Sequence, residues 1–158
     1  MCRLSNNLTL YSANLRKSPS ALDDVIGRVS TNFIMGIQEF PRDVSLRGPL
    51  KVFKTPRSRT GIVCKGNFDL ALINRFCNND LTTSIVHIKT EHAEFSFIFA
   101  SLYVPCNKKP NLSVAVQVAE YASSNDFELI IIYFLRIICF YIHVDNIHHF
   151  MNSFTFND

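Results

Sequence analysis

The stretch FIMGIQEF, residues 33–40, predicts a buried strand that ends in polar groups. Its first five residues are apolar or small, as expected for a strand covered on both faces. The run then reaches Gln38 and Glu39. A carboxylate at the tip of a core strand is either solvated on a loop or held in a cleft to do chemistry. The end of this strand is therefore the first place to look for a functional site.

The patterns on either side predict further strands and two helices. Residues 8–14 alternate as a strand, and Ser18 and Pro19 provide the cap and first turn of a helix that continues to about residue 30. Further strands are predicted from GIVCKG, FDLALINRF, LTTSIVHIKT, AEFSFIFASLYVP and FELIII, and a second helix from NLSVAVQVAEYASSN. Residues 41–61, with their prolines, glycines and basic residues, predict a long exposed connection. This order predicts an α/β or α+β sandwich of sheets covered by helices.

Composition is that of a folded domain. The chain has 158 residues, of which 47% are hydrophobic and 18% charged, which suits one domain or a large part of one. The net charge of +3 permits a polyanionic partner without requiring one. The five cysteines are odd in number and widely spaced, which favours reduced thiols in an intracellular protein over a zinc site or disulfide framework. The N-terminus lacks the apolar run of a secretory signal, so no signal peptide is expected.

Residues 129–142, LIIIYFLRIICFYI, form an apolar run interrupted only by Arg136. The run is shorter than the roughly 20 residues that a membrane-spanning helix needs. It is predicted to be a buried strand or a core helix. A membrane-associated segment is the alternative that the pattern leaves open.

Three polar groups end predicted strands: Asn14, Glu39 and Tyr103. Carboxylate and amide oxygens are hard ligands that suit Mg²⁺, which usually takes only one or two protein carboxylates. A tyrosine hydroxyl can donate a hydrogen bond to a phosphate oxygen. Together they predict a magnesium-dependent site for a phosphodiester. The alternative is structural: a turn asparagine, a solvated glutamate and a packed tyrosine.

Several segments resemble the endonuclease domain of non-LTR (LINE-type) retrotransposons of insects and other arthropods, within the endonuclease/exonuclease/phosphatase superfamily. They are ANLRKSPSALDDV, FIMGIQEF, RSRTGIVCKGNFDLALINRFCNNDLTTSIVHIK and FIFASLYVPCNKKP, so the resemblance covers residues 8 to about 130. It implies part of a deoxyribonuclease-like sandwich of mixed sheets. It also implies that Asn14 and Glu39 bind magnesium and that Tyr103 contacts the scissile phosphate. The implied substrate is DNA, nicked in the nucleus for retrotransposition, with no small-molecule cofactor.

The chain departs from the family pattern in two regions. Ser12 stands where a glutamine is common, two residues before the asparagine. After FELII the family continues into Gly-x-Asp-x-Asn and later has Ser-Asp-His, whereas this chain continues as IYFLRIICFYIHVDNIHHF. Residues 8–131 are therefore predicted to be the N-terminal part of the domain, and residues 132–158 an unrelated or decayed tail. Because no group that orients the attacking water is recognisable, the chain as given is predicted to be a poor or inactive nuclease.

A basic segment, KVFKTPRSRTGIVCK, contains Lys51, Lys54, Arg57, Arg59 and Lys65. In one interpretation these cations contact DNA phosphates, and the chain is a non-catalytic fragment that binds nucleic acid weakly. In the other interpretation the segment is a solvated connection.

Overall fold

A computed structural model of the chain describes residues 2–4, 8–29, 32–42, 44, 48–89, 94–105 and 112–133. The strands are β1 Cys2–Leu4, β2 Leu8–Asn14, β3 Phe33–Gln38, β4 Lys51–Phe53, β5 Thr60–Lys65, β6 Asp69–Leu72, β7 Leu81–Lys89, β8 Glu94–Leu102 and β9 Glu128–Tyr133. The helices are α1 Pro19–Ile26 and α2 Ser113–Ser124, with a 3₁₀ helix at Asn74–Phe76.

The strands form two mixed sheets. The first sheet has the order β1-β2-β3-β5-β4, and the second has the order β6-β7-β8-β9. The pairs β2–β3 and β8–β9 are parallel, and the other pairs are antiparallel. The predicted class, an α/β sandwich of mixed sheets covered by helices, is confirmed.

Alternation along the strands divides the buried residues into three layers. Leu22 of α1 packs with Phe33 and Met35 on the outer face of the first sheet. The next residue, Ile34, lies instead in the layer between the sheets, with Phe97 of the second sheet. A third cluster lies between α2 and the outer face of the second sheet. The alternating side-chain directions of β3 therefore serve two layers at once.

The first helix begins and packs as its sequence predicts. Ser18 Oγ accepts a hydrogen bond from the Ala21 N–H at 3.4 Å, and Pro19 occupies the first turn, where a missing N–H costs nothing. Leu22 is buried within the helix. This helix covers the strand whose end was singled out above.

The predicted exposed connection over residues 41–61 is wrong in part. Lys51–Phe53 forms β4, which pairs with β5 and supplies an edge of the first sheet. Ser58 and Thr60 are buried rather than exposed. The basic and proline-rich composition concealed a three-residue edge strand, because strands that short carry too few residues to show alternation. The first sheet likewise gains β1, which precedes the predicted start of the domain at residue 8.

The apolar run at residues 129–142 begins as a buried strand. β9 pairs in parallel with β8, and residues 129–133 are all buried. β9 ends at Tyr133, two residues past the predicted boundary, whereas residues 134–158 lie outside the described part of the chain. No helix within the described residues is long and apolar enough to cross a membrane.

Candidate functional site

Two of the predicted site residues lie at adjacent strand ends of the first sheet. Asn14, the last residue of β2, is the register partner of Gln38, the last residue of β3. Glu39 follows directly. Because neighbouring strands lie about 4.8 Å apart, Asn14 and Glu39 extend from the same edge of the sheet.

The second sheet brings Tyr103 to this edge. Tyr103 follows β8, and its hydroxyl donates a hydrogen bond to Glu39 Oε1 at 2.7 Å. Its backbone N–H donates to the Asp80 carbonyl at 2.8 Å, which fixes the chain just before β7 to the chain just after β8. Two residues predicted from separate strands, 64 positions apart, are therefore in direct contact.

Asn14 also makes a local turn contact. Its Oδ1 accepts the Arg16 N–H at 2.9 Å, which matches the turn role considered as the structural alternative. An amide oxygen has two lone pairs, so this bond leaves Oδ1 able to accept a second partner. The turn role and a ligand role are compatible.

Glu39 has an unusual backbone conformation. Its φ is +50°, in the left-handed region that few residues other than glycine adopt. Its carbonyl accepts the Lys17 N–H at 2.8 Å, and the next N–H, that of Phe40, donates to the Arg59 carbonyl at 2.9 Å. Such conformations cost free energy and concentrate at functional sites. The neighbouring turns hold Glu39 in place against this cost.

A guanidinium lies beside the tyrosine. Arg59 Nε donates to Asp80 Oδ1 at 2.7 Å, and the guanidinium carbon lies 4.8 Å from the centre of the Tyr103 ring. An arginine over an aromatic face is attracted by the ring quadrupole. Arg59 was predicted as a nucleic-acid-binding residue of the basic segment, without these contacts, and Asp80 was missed. The sequence Asn78-Asn79-Asp80 is typical of a turn and so predicts a loop. It does not indicate that the Asp80 carboxylate would pair with Arg59.

The structure divides the five predicted nucleic-acid-binding residues into two groups. Lys54, Arg57 and Arg59 lie in the segment that leads into β5 at the site, and Lys54 Nζ reaches the Pro41 carbonyl at 3.4 Å. Lys51 is instead opposite Cys64, and Lys65 is opposite Phe33 at the start of β3. Because Gln38 pairs with Thr60, the length of β5 separates Lys65 from the site, about 17 Å at 3.4 Å per residue.

The thiols of Cys64 and Cys77 do not suit nucleophilic chemistry. Burial raises the pKa of Cys64 to about 11, and the nearby Lys51 only partly opposes that effect. Burial also raises the pKa of Cys77, partly offset by a hydrogen bond from the Thr83 backbone. Both thiols therefore stay protonated at neutral pH, whereas the thiolate is the reactive form.

The donor set at the site suits a hard cation. Glu39 supplies a carboxylate and Asn14 an amide oxygen, the ligand types that Mg²⁺ takes when water and substrate phosphate complete its shell. Glu39 Oε2 has no hydrogen-bond partner among the described residues, while Oε1 is oriented by Tyr103. The described residues contain no cluster of three or more His, Cys, Asp or Glu side chains.

Comparison with known proteins supports the fold. No family model matches the chain, and no curated protein matches it. Among solved structures, the chain is similar to the endonuclease domain of TRAS1, a telomere-specific non-LTR retrotransposon, with a TM-score of 0.51 and 18% sequence identity over 77% of the chain. The match spans 56% of that domain. The chain therefore shares the fold of this structural neighbour and spans somewhat more than half of its length.

Proposed function

We propose that Asn14, Glu39 and Tyr103 form the cation- and phosphate-holding part of a magnesium-dependent site for DNA phosphodiester hydrolysis, and that these 158 residues hydrolyse DNA slowly. The observation that carries the proposal is the 2.7 Å hydrogen bond from the Tyr103 hydroxyl to Glu39 Oε1. This hydrogen bond joins a strand end of the first sheet to a strand end of the second. A contact that only held the sheets together would require neither a carboxylate nor a strained backbone at Glu39.

Each residue has a distinct role in this proposal. Glu39 and Asn14 hold the cation, and Tyr103 donates its single hydroxyl proton to Glu39 Oε1, which orients that carboxylate. A phosphate bound beside the ring would receive this proton only by replacing Glu39 as its acceptor. Magnesium, when bound, supplies charge stabilisation on the phosphoryl oxygens. The Arg59 guanidinium, which is held by Asp80, lies over the Tyr103 ring and restricts the direction of the phenol.

The expected rate is low because one task has no recognisable residue. In-line attack at phosphorus requires an oriented water as well as charge stabilisation. The sequence contains neither the Asp-x-Asn pair after Ile131 nor a Ser-Asp-His segment. Groups that act as a unit lose far more than their proportional share of rate when one is removed, typically several powers of ten.

The decisive experiment measures cation binding and DNA nicking together. Mn²⁺ binding, followed by electron paramagnetic resonance and displaced by Mg²⁺, is expected to weaken at least about tenfold in Glu39→Gln. Glu120→Gln, an exposed glutamate on α2, is the matched control and is expected to bind as the unchanged chain does. Any slow nicking of supercoiled plasmid should require Mg²⁺ and disappear in Glu39→Gln. Unchanged Mn²⁺ binding in Glu39→Gln, or nicking that persists in EDTA, would refute the proposal.

A second candidate function is nucleic-acid binding without catalysis. It is favoured by the position of Lys54, Arg57 and Arg59 in the segment that leads to the site, with Arg57 exposed. This function predicts duplex DNA binding that weakens as salt rises and that survives Glu39→Ala. Loss of duplex binding in Glu39→Ala would count against it.

A further inference from the structure

The turn after β2 places two cations in a backbone conformation that is unusual for them. Arg16 has φ +48° and Lys17 has φ +61°, and both side chains are exposed. Two successive non-glycine residues in the left-handed region are uncommon, and glycine or asparagine would adopt this conformation more easily. Strained positions of this kind cluster at sites of function.

Backbone hydrogen bonds fix this turn against both proposed cation ligands. The Arg16 N–H donates to Asn14 Oδ1 at 2.9 Å, and the Lys17 N–H donates to the Glu39 carbonyl at 2.8 Å. A third bond, from the Ser18 N–H to the Leu15 carbonyl at 2.8 Å, closes the turn. The two cations are therefore held directly beside the site by the same groups that build it.

The positive charge of the turn is not neutralised within the described residues. Neither Arg16 nor Lys17 forms an ion pair there, where the ion pairs are Arg59–Asp80 and Lys89–Glu94. Three carboxylates, those of Asp23 and Asp24 on α1 and of Glu39 beside the turn, reduce the local field, but none of them is ion-paired with Arg16 or Lys17. An exposed, uncompensated pair of cations favours an anionic ligand.

The strand order places this turn on the opposite flank of Glu39 from the basic segment before β5. β3, which leads to Glu39, lies between β2 and β5 in the sheet. The turn continues from β2, and Arg57 and Arg59 precede β5. Two inter-strand spacings separate these flanks, about 10 Å, over which a DNA strand presents about three phosphates at 3.4 Å per charge.

We propose that the Arg16–Lys17 turn binds the DNA phosphate backbone on one flank of the site, while Arg57 and Arg59 bind it on the other flank. The inference rests on the proposed function in taking DNA as the ligand. It adds two residues that the sequence interpretation did not assign. It also assigns little binding to Lys51 and Lys65, which lie toward the other end of β5.

The test compares two double variants that each remove two positive charges. Arg16→Asn with Lys17→Asn changes the turn, and asparagine tolerates its left-handed backbone. Lys51→Gln with Lys65→Gln is the matched control at the other end of the sheet. Binding of each full chain to a fluorescein-labelled 20-base-pair duplex is measured by anisotropy between 50 and 200 mM KCl in EDTA, after thermal melting has confirmed that both variants fold.

The turn variant is expected to lose roughly 10- to 100-fold in affinity at 0.1 M KCl, and the slope of log K against log salt should fall by about 1.8, or 0.9 per phosphate contact. The control should change by less than about twofold. Charge-preserving Arg16→Lys with Lys17→Arg should bind nearly as the unchanged chain does. Equal losses in the turn variant and the control, no loss in the turn variant, or no salt-dependent binding by the unchanged chain would overturn the inference. Because EDTA removes the cation, each of these results leaves the Mn²⁺ test of Glu39 unaffected.

Discussion

Replacing Glu39 by glycine separates the backbone strain of the site from its side-chain chemistry. At φ +50° an L residue pays about 1–2 kcal/mol that glycine does not pay. Glycine in turn costs about 0.4–1 kcal/mol relative to alanine, because the unfolded chain gains freedom. Glu39→Ala and Glu39→Gly both lose the hydrogen bond from Tyr103, so that loss cancels in the comparison. The Glu39→Gly variant should therefore be more stable than the Glu39→Ala variant, by about 0.8 kcal/mol within a range of about 0–1.6 kcal/mol.

Urea unfolding of the two variants measures this difference directly. The matched pair is Glu120→Ala and Glu120→Gly in α2, where the backbone is helical and glycine should be the less stable by about 1 kcal/mol. The difference in stability between the glycine and alanine variants should therefore have opposite signs at Glu39 and Glu120. A Glu39→Gly variant that is less stable than Glu39→Ala would show that Glu39 is not held in the left-handed region. Both Glu39 variants lack the proposed carboxylate ligand, so neither should bind Mn²⁺ and the difference in stability between them is independent of cation binding.

Two further predictions concern β5. A Cβ on Gly61 would lie 2.5 Å from Phe40 Cδ2, so Gly61→Ala should destabilise the fold by about 1–3 kcal/mol, and adding Phe40→Leu should recover part of that loss in urea unfolding; a neutral Gly61→Ala would contradict this packing. The pKa of Cys64 rises from 9.0 to about 11 because the folded state buries the neutral thiol. The contribution of this thiol to the free energy of unfolding is therefore complete below pH 9 and is lost as the pH rises toward 11. The loss is about 2.7 kcal/mol, since each unit of pKa difference corresponds to 1.36 kcal/mol. Urea unfolding from pH 8 to 11 should show this decline in the unchanged chain and a flatter profile in Cys64→Val, and equal profiles would exclude Cys64 as its cause.

The sequence was sufficient to locate the strand ends that build the site. The first two strands were predicted to end at Asn14 and Glu39, and they end at residues 14 and 38. The strand predicted over residues 93–105 ends earlier, at Leu102, directly before Tyr103. These boundaries were predictable because a polar side chain that follows a core strand must leave the core or find a partner. The contact between Glu39 and Tyr103 is consistent with the expectation of a shared site.

The pairing order of the strands was not predictable from local pattern. In the linear sequence, Lys51 and Lys65 belong to the same basic segment as Arg59. In the fold, β4 pairs antiparallel with β5, and this pairing places Lys51 and Lys65 toward the end of β5 that is distant from Arg59. The Arg16–Lys17 turn was missed for a different reason. Left-handed turns are usually signalled by glycine or asparagine, and here two cations adopt that conformation because tertiary hydrogen bonds compensate for its cost.

The layer between the sheets changes from apolar to polar as it approaches the site, and this change explains how the two sheets are aligned there. Along β3, Ile34 packs in the apolar layer, but Gln38 is fully buried and its Nε2 donates to Ser101 Oγ of β8 at 3.3 Å. Ser101 Oγ in turn donates to the Ile37 carbonyl at 3.1 Å. Gly36 permits this approach, since a Cβ there would lie 3.2 Å from the same oxygen.

Apolar contacts tolerate sliding between sheets, whereas hydrogen bonds between buried groups fix one relative position because an unsatisfied partner is costly. Every described buried side-chain nitrogen and oxygen has a partner. Glu39 lies one residue beyond Gln38, and Tyr103 lies two residues beyond Ser101. The hydrogen bond between Gln38 and Ser101 therefore determines where Glu39 and Tyr103 meet. The 2.7 Å contact between Tyr103 and Glu39 thus follows from polar residues placed one step inside the site. The position at which Glu39 and Tyr103 meet is therefore set by buried hydrogen bonds among Ile37, Gln38 and Ser101, which join the two sheets one and two residues before the contact.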